Sequence, residues 1–228
     1  MNDMKDKSMR LRHEIAHPLN GDNLEDALMV EVREDMLHGE WNDYTNDMAD
    51  KIRNYACRSE LPVWKTSSPG SYVECEFEGT FAGFYDVIAP DGGMAKSIVD
   101  HRAPYDDHRR FDKFTIYPRP AFEVIDDDLS GEVHHVKIKL ADVSFDKESI
   151  LQPGRRDEIR NHPEKFEGYN FYPVALMLRG NVINYIDPEA SVNGNGTKSD
   201  PYNSWDSVTW QPGNTYLQKR GTVWDSTI

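Results

Sequence analysis

Two histidines near the start of the chain give the sharpest local match to a catalytic motif. His13-Glu14-Ile15-Ala16-His17 fits the H-E-x-x-H pattern, in which two histidines one helical turn apart bind zinc and the glutamate acts as general base. Pro18 follows at once, and a residue that precedes proline is pushed out of the helical region, which removes the required geometry. We therefore expect that His13 and His17 lie on the surface of an N-terminal segment and do not bind zinc tightly.

Carboxylates are a second source of chemistry. The run from Asp126 to Asp128 could supply some of the oxygens that calcium requires. Asp106-Asp107 could act on a glycosidic bond, but adjacency in the sequence does not give the separation that this reaction needs. Because the chain has 40 acidic residues, most such groups are expected to be solvated surface. Calcium at Asp126 and Asp128 stays an open alternative, and no other cofactor is predicted.

Residues 100 to 119 bring aromatic, acidic and basic side chains together in what is predicted to be a long loop, and such loops are often functional. A sugar-binding surface needs flat aromatic faces and planar polar groups. The side chains in or near this segment that are predicted to bind a substrate are Trp64, Tyr85, Asp100, Tyr105, Arg109, Arg110, Asp112 and Arg119. The alternative is that Asp100, Asp112 and Arg119 form an internal ion-pair network that holds the loop.

Strands with one buried face must position these groups. In two segments apolar residues alternate with glutamates or lysines, a period of two that is typical of such strands. The apolar members, which are predicted to face one core, are Val73, Cys75, Phe77, Val136, Ile138 and Leu140. Gly79-Thr80 is expected to end the first strand, before a second strand from Phe81 to Ile88. Pro90-Asp91-Gly92-Gly93 predicts a turn before a third strand.

The remaining segments add peripheral helices and further strands. Asp43 to Arg58 has the apolar spacing of a helix that packs on the strands. Asp146 to Phe171 interrupts the β pattern and is predicted to be an exposed insertion with a short helix. Val174 to Leu178 is continuously apolar, as in a strand covered on both faces, and Val182 to Ile186 would complete the sheet system. Asn23 to Met36 is ambiguous, since its apolar spacing fits a helix while Leu28 to Val32 also fits a strand.

Several short motifs follow one another along the β-rich region, and their order is informative. In chain order they are Trp64, Pro69-Gly70, Phe77-Glu78-Gly79-Thr80, Pro90-Asp91-Gly92-Gly93, Asp100, Phe111-Asp112 and Arg119. This order resembles the accessory β-sandwich of many SGNH (GDSL-type) esterases and related carbohydrate-active enzymes, over roughly residues 28 to 186. The resemblance favours a strand at Leu28 to Val32. It implies a jelly-roll-like domain that accompanies an enzyme and binds a polysaccharide or another glycan.

A second resemblance concerns Glu14-Ile15-Ala16-His17-Pro18, which is similar to the last catalytic block of SGNH hydrolases, Asp-x-x-His, often followed by Pro. It implies that His17 is a weak catalytic candidate in a divergent or truncated esterase. Glu14 departs from the Asp of that block. The chain also has no Gly-Asp-Ser nucleophile block, and acyl transfer needs a nucleophile.

The last 42 residues, 187 to 228, change to a loop-rich composition with Asn193-Gly194-Asn195-Gly196-Thr197 and Pro212-Gly213-Asn214-Thr215. This pattern resembles the entry segment of right-handed parallel β-helices of the polysaccharide-lyase type. A β-helix is stable only when about three or more rungs stack, and this segment supplies at most one. We expect that it either marks a fragment boundary, adds a strand to the sandwich or docks against a partner chain.

Composition narrows the classes of function. The net charge of -14 argues against nucleic acid and against an anionic membrane surface as partners. Residues 1 to 12 lack the apolar core of a signal peptide, and no apolar run approaches the length of a bilayer span. The location stays unknown; it would be extracellular for a trimmed chain or a phage component. Cys75 is predicted to be a buried free thiol, with a disulfide to Cys57 as the alternative.

These observations predict an all-β, jelly-roll-like β-sandwich with one or two peripheral helices. The predicted division is a flexible segment at residues 1–22, the sandwich at 23–186, and a β-helix-like tail at 187–228. The predicted function is a non-catalytic, carbohydrate-associated module of a larger carbohydrate-active protein. The alternatives are the divergent esterase and a structural or assembly protein, for instance of a virion.

Overall fold

Strands dominate the computed structural model, which describes residues 27–51, 61–208, 210 and 214–223. The strands, numbered along the chain, are β1 (Leu28–Glu31), β2 (Leu37–His38), β3 (Asn42–Asp43), β4 (Trp64–Lys65), β5 (Tyr72–Ile88), β6 (Met94–Val99), β7 (Asp106–Arg109), β8 (Arg119–Asp126), β9 (Val133–Leu140), β10 (Pro173–Ile186) and β11 (Asn214–Gln218). The described α-helices are α1 (Thr45–Lys51), α2 (Lys147–Ile150) and α3 (Arg156–Asn161). The predicted all-β class is confirmed.

The long strand β5 connects both layers of the β-sandwich. Its first half pairs with β9 and with the short β2, and its second half pairs with β8. Strand β10 runs antiparallel to β5 through both halves and carries β1 on its other side. The order β1-β10-β5-β9-β6-β7 therefore continues across the fold, and the predicted strand at Leu28 to Val32 is present as β1.

The prediction that a strand ends at Gly79-Thr80 is wrong, because β5 continues through these residues with a bulge. Gly79 lies opposite Gly180 and Phe81 lies opposite Arg179, so Thr80 is an extra residue without a partner on β10. One extra residue reverses the side to which the following residues point. The alternation of side chains along β5 is therefore shifted by one residue at the bulge. As a result, residues on both sides of the bulge contribute to the same core.

The main hydrophobic core lies on this shared side of β5. All six residues predicted to face one core belong to it, and each is at most 4% exposed. Ala82 and Phe84 join them after the bulge. Cys75 is a buried free thiol, as predicted, and burial raises its pKa to about 12. Cys57 lies outside the described residues.

A second cluster of apolar residues covers the other side of the second half of β5. Tyr85, Phe122 and Tyr172 belong to it, and Met48 of α1 packs there. Helix α1 thus lies on the sandwich as predicted, although the described helix ends at Lys51 and residues 52–60 of the predicted helix lie outside the described part of the chain. Among the described residues, each helix is too short or too polar to cross a bilayer.

Outside the two cores, several segments differ in the structure from what the sequence predicted. The segment from 100 to 119 is not one long loop, since it contains β7, which pairs with β6. The predicted strands at 174–178 and 182–186 form one strand, β10. In the tail, β11 pairs in parallel with β10, so the tail does add a strand to the sheet. The domain boundary at residue 186 and the likeness to a β-helix remain predictions.

The paired glycines at the bulge generate a prediction about stability. A Cβ atom on Gly180, whose φ is +154°, would overlap the carbonyl oxygen of Glu78 on the neighbouring strand. We expect Gly180→Ala to lower the free energy of unfolding by about 1–3 kcal/mol, as overpacking does. Urea denaturation followed by circular dichroism would measure this change.

Gly154→Ala is the matched control, because a Cβ atom on Gly154 meets nothing within 4 Å. We expect the control to unfold at the wild-type urea concentration. Equal midpoints for the two variants would contradict the close packing of β5 against β10.

Candidate functional site

The outer face of the first β5 half, opposite the main core, carries a patch of aromatic and charged side chains. We call this patch the lysine face; its residues are Tyr72, Glu74, Lys96, His135, Lys137 and Lys139. They sit at the alternate positions of β5, β6 and β9, between residues of the main core. The register places Glu74 opposite Lys137 and Tyr72 opposite Lys139, so the side chains stand in rows across the strands. The alternation predicted this wet face, but it did not reveal which residues meet.

Lysines of this face lie over tyrosine rings. The Lys137 Nζ atom is 3.2 Å from the centroid of the Tyr72 ring, and the Lys139 Nζ atom is 4.0 Å from the centroid of Tyr105. Such contacts are cation–π interactions, which fix the cation and leave its hydrogen-bond donors available. Tyr105, predicted as a substrate-binding residue, is therefore brought next to two lysine-bearing strands.

A groove opens at one end of the lysine face. Its volume is about 510 Å³, and its lining combines lysines, one carboxylate and apolar groups. The residues that line the groove are Pro69, Gly70, Lys96, Lys139, Leu140, Ala141, Asp142 and Val143. Gly70 N donates a hydrogen bond to Leu140 O, which holds the Pro69-Gly70 turn against the end of β9. Donors, an acceptor and apolar surface thus converge at one place.

The other end of the lysine face is organised by Glu74. His38 and His135 place ring nitrogens 3.2 and 3.0 Å from its carboxylate oxygens, and Lys137 lies 3.6 Å away. Burial raises the pKa of Glu74, but the hydrogen bond to His135 and the charge of Lys137 outweigh it and lower that pKa. The carboxylate is therefore ionised and already engaged at neutral pH.

Arg110 is placed differently from the prediction. Its side chain is completely buried, with its guanidinium 2.7 Å from each carboxylate oxygen of Asp86 and 2.9 Å from Glu123. Burial raises the pKa of Asp86 to about 6 in spite of Arg110, so the carboxylate is ionised at pH 7. Arg110 therefore joins β5, β7 and β8 internally, and it offers no surface to a sugar.

This buried ion pair generates a second prediction. Arg110→Met leaves the charge of Asp86 buried without its partner, and breaking such a pair costs about 3–5 kcal/mol. We expect the free energy of unfolding to fall by that amount. The adjacent Arg109→Met is the matched control, because Arg109 is exposed and makes one hydrogen bond, to Phe111 O; we expect a loss below about 1 kcal/mol.

Chemical denaturation of both variants at pH 7 distinguishes them. Similar losses for Arg109→Met and Arg110→Met would contradict the structural role of Arg110.

The other predicted binding residues separate into buried and exposed groups. Tyr85 is 1% exposed in the second core, and the Trp64 indole donates to Val32 O and packs against the main core, so Tyr85 cannot stack on a sugar and Trp64 is held by the fold. Asp112 pairs with Arg119 and accepts hydrogen bonds from Phe114 N and Thr115 Oγ1. This pair forms part of the network that the alternative interpretation expected, but Asp100 does not belong to it and pairs with His134 and Arg102 instead. Arg109 stays exposed.

Asp100 belongs to a Ser-His-Asp arrangement that the sequence did not predict. Its Oδ2 atom is 2.8 Å from His134 Nδ1, and Ser130 Oγ is 3.4 Å from His134 Nε2. These distances resemble a catalytic triad. The Nε2 atom also lies 2.6 Å from the carbonyl oxygen of Ser130, which can only accept a hydrogen bond.

Both ring nitrogens of His134 therefore face acceptors, which favours the imidazolium. Burial lowers the pKa of His134, but the hydrogen bonds to Asp100 and to the Ser130 carbonyl oxygen outweigh it and raise that pKa. An imidazolium cannot take a proton from Ser130. The arrangement therefore ties the end of β6 to β9 and does not activate a nucleophile in this state.

The Asp100–His134 pair predicts a pH dependence. The raised pKa of His134 stabilises the fold below about pH 6.5, and this contribution is lost as pH rises through the folded-state pKa. The lowered pKa of Asp100 acts in the opposite direction, with its contribution lost as pH falls below about 4. The pair is therefore strongest between these limits.

We expect Asp100→Asn to cost about 1 kcal/mol at pH 5.5 and clearly less at pH 9, since the pair is partly exposed to solvent. Asparagine suits the site because Asp100 has φ +52°. Denaturation at both pH values tests this expectation, with Asp128→Asn as the control at an exposed aspartate. An equal cost at both pH values would contradict the ionic pair.

The proposed metal ligands receive no support from the described residues. No group of three or more His, Cys, Asp or Glu side chains in the described ranges is arranged to hold a metal ion. Asp126 Oδ1 accepts a hydrogen bond from Asp128 N, a local turn contact. His13 and His17 lie outside the described residues.

Comparisons with known proteins give distant likenesses of fold. The sequence matches no protein-family model and no curated protein. A two-domain esterase active on acetylated mannans, co-crystallised with mannopentaose, is similar at 14% identity and a TM-score of 0.48, over 72% of this chain and 39% of that chain. A family two carbohydrate esterase from Cellvibrio japonicus is similar at 9% identity and a TM-score of 0.39, over 71% and 38%.

A third similar structure is the Agl-KA catalytic domain, at 9% identity and a TM-score of 0.35, over 77% of this chain and 31% of that chain. This chain thus spans less than two fifths of the length of each of these structures. Similarities this distant do not assign a function to the chain.

Proposed function

We propose that this chain is a non-catalytic, glycan-binding accessory module of a larger carbohydrate-active protein. The observation that carries the proposal is the groove at the end of the lysine face. Lys96, Lys139 and Asp142 line it together with apolar groups, and Tyr105 lies beside it under the Lys139 ammonium. The groove replaces the predicted site around Arg110 and Tyr85, which are buried.

The groove has the properties that a sugar requires. Its volume of about 510 Å³ falls within the range of small-molecule sites, roughly 300–1,000 Å³. Ammonium groups can donate to ring and hydroxyl oxygens, and the Asp142 carboxylate can accept from hydroxyl groups. Val143, which is 38% exposed, offers apolar surface to the C–H face of a sugar ring. Tyr105 provides a flat aromatic edge at the rim.

The chemistry of the described residues supports binding rather than turnover. The one Ser-His-Asp arrangement within the described ranges holds His134 between two acceptors. The 3.4 Å separation of Ser130 Oγ from His134 Nε2 nevertheless favours an esterase as the second candidate, through a minor state in which the imidazole is neutral. The esterase suggested by His17 depends on residues outside the described part of the chain.

A binding experiment tests the proposal. We expect the purified chain to bind at least one polysaccharide fragment on a glycan array, and Tyr105→Ala to weaken that binding by about tenfold, since a stacked aromatic contributes about 1 kcal/mol or more. Calorimetry with the glycan found on the array measures the change. Tyr117→Ala is the matched control, because Tyr117 is exposed and does not line the groove.

Two results would contradict the proposal. One is the absence of glycan binding by a folded chain on an array that covers neutral and acidic polysaccharides. The other is hydrolysis of an acetyl ester by the wild type that Ser130→Ala abolishes, which would favour the esterase. A structural or assembly role would instead be supported by a partner chain bound at the exposed Trp210 and Leu217 of the tail.

A further inference from the structure

We propose that the groove selects glycans that carry a carboxylate, such as a uronate, and that Lys139 determines this selectivity. The inference rests on the proposed glycan-binding function and names the class of sugar that the groove takes. Its basis is the distribution of charge among three lysines that stand on neighbouring strands of the lysine face.

The three lysines differ in their acidic partners. Lys96 Nζ lies 2.9 Å from Asp107, and Lys137 Nζ lies 3.6 Å from Glu74. Lys139 makes no ion pair with a carboxylate of any described residue; its ammonium rests on the Tyr105 ring instead. An ammonium over a ring still has donors that point away from the ring. Lys139 is therefore the cation of the groove that is left to pair with an anion from solution.

The register of the strands gives a second, independent reason to expect an anion beside Lys139. Lys139 of β9 lies directly opposite Lys96 of β6 on the same face of the sheet. Like charges at opposed positions of an antiparallel pair destabilise it. Asp107 balances Lys96 from the far side, on β7, but the charge of Lys139 stays uncompensated. A carboxylate bound between Lys139 and Lys96 would relieve this repulsion, whereas a neutral sugar would not.

The surroundings decide how an acidic sugar would lie. Asp142 lines the same groove, and its carboxylate would repel the acid group while accepting hydrogen bonds from hydroxyls. The acid group is thus directed to the Lys139 end and the hydroxyl groups to the Asp142 end. Since the whole chain has a net charge of -14, an anion gains nothing from the general field and depends on this local pair.

The experiment uses two probes that differ only in charge. Calorimetry compares a galacturonate tetramer with the same tetramer fully methyl-esterified, at one fixed ionic strength. We expect the wild type to bind the acidic tetramer at least tenfold more tightly. Lys139→Met should reduce binding of the acidic tetramer to the level of the ester, and Lys139→Arg should restore most of the difference because it restores the charge.

The control variant Lys198→Met removes the same charge from an exposed site that does not line the groove, and we expect it to keep the wild-type preference. Equal binding of the two tetramers, or a preference that survives in Lys139→Met, would overturn the inference. Binding of neutral glycans alone on the array would also overturn it while leaving the proposed function intact. Failure to bind any glycan would overturn both.

Discussion

The antiparallel pairing of β5 with β10 is the constraint on which the rest of the structure depends. Both strands run through the two layers. The other strands of the main sheet are attached to one of them or to β9, except β7, which pairs with β6. This pairing is possible at the bulge only because Gly79 and Gly180 face each other, where any Cβ atom would meet the backbone of the opposite strand. The extra residue, Thr80, then shifts the alternation of the side chains along β5 by one position. Without the extra residue, Phe81, Tyr85 and Val87 would face the main core in place of Ala82 and Phe84.

The position of β5 also determines the candidate site, because β5 pairs with β9. Because Val136, Ile138 and Leu140 are fixed in the main core by their pairing with β5, the intervening His135, Lys137 and Lys139 must point outward. Strand β6 adds Lys96 beside Lys139 in the same way. Core packing therefore fixes the positions of the lysines. It does not determine which of their charges are paired with a carboxylate. The like-charge pair at the groove destabilises the strand pairing, so core packing does not explain its presence.

Sequence periodicity predicted the core well and the site poorly, for one physical reason. The alternation of Val73, Cys75 and Phe77 with glutamates depends only on neighbours along the chain, so it could be recognised without knowing the pairing. Which outward residue meets which depends on register between distant strands. The glycine-threonine pair shows the limit, since the same two residues suit a strand end or a bulge, and only the partner strand decides between them.

In the segment from 100 to 119, amino-acid composition alone predicts a binding surface that the fold does not form. Arg109 and Arg110 are adjacent in sequence, and an adjacent basic pair suggests one binding surface. Consecutive residues of a strand point to opposite sides, however, so β7 sends Arg109 to solvent while Arg110, just beyond its end, enters the interior. Burial then gives Arg110 two acidic partners, Asp86 and Glu123, because an unpaired guanidinium could not be accommodated there. The same alternation that removes one arginine from the surface leaves the lysines of β6 and β9 on it, because the neighbouring residues of those strands face the main core.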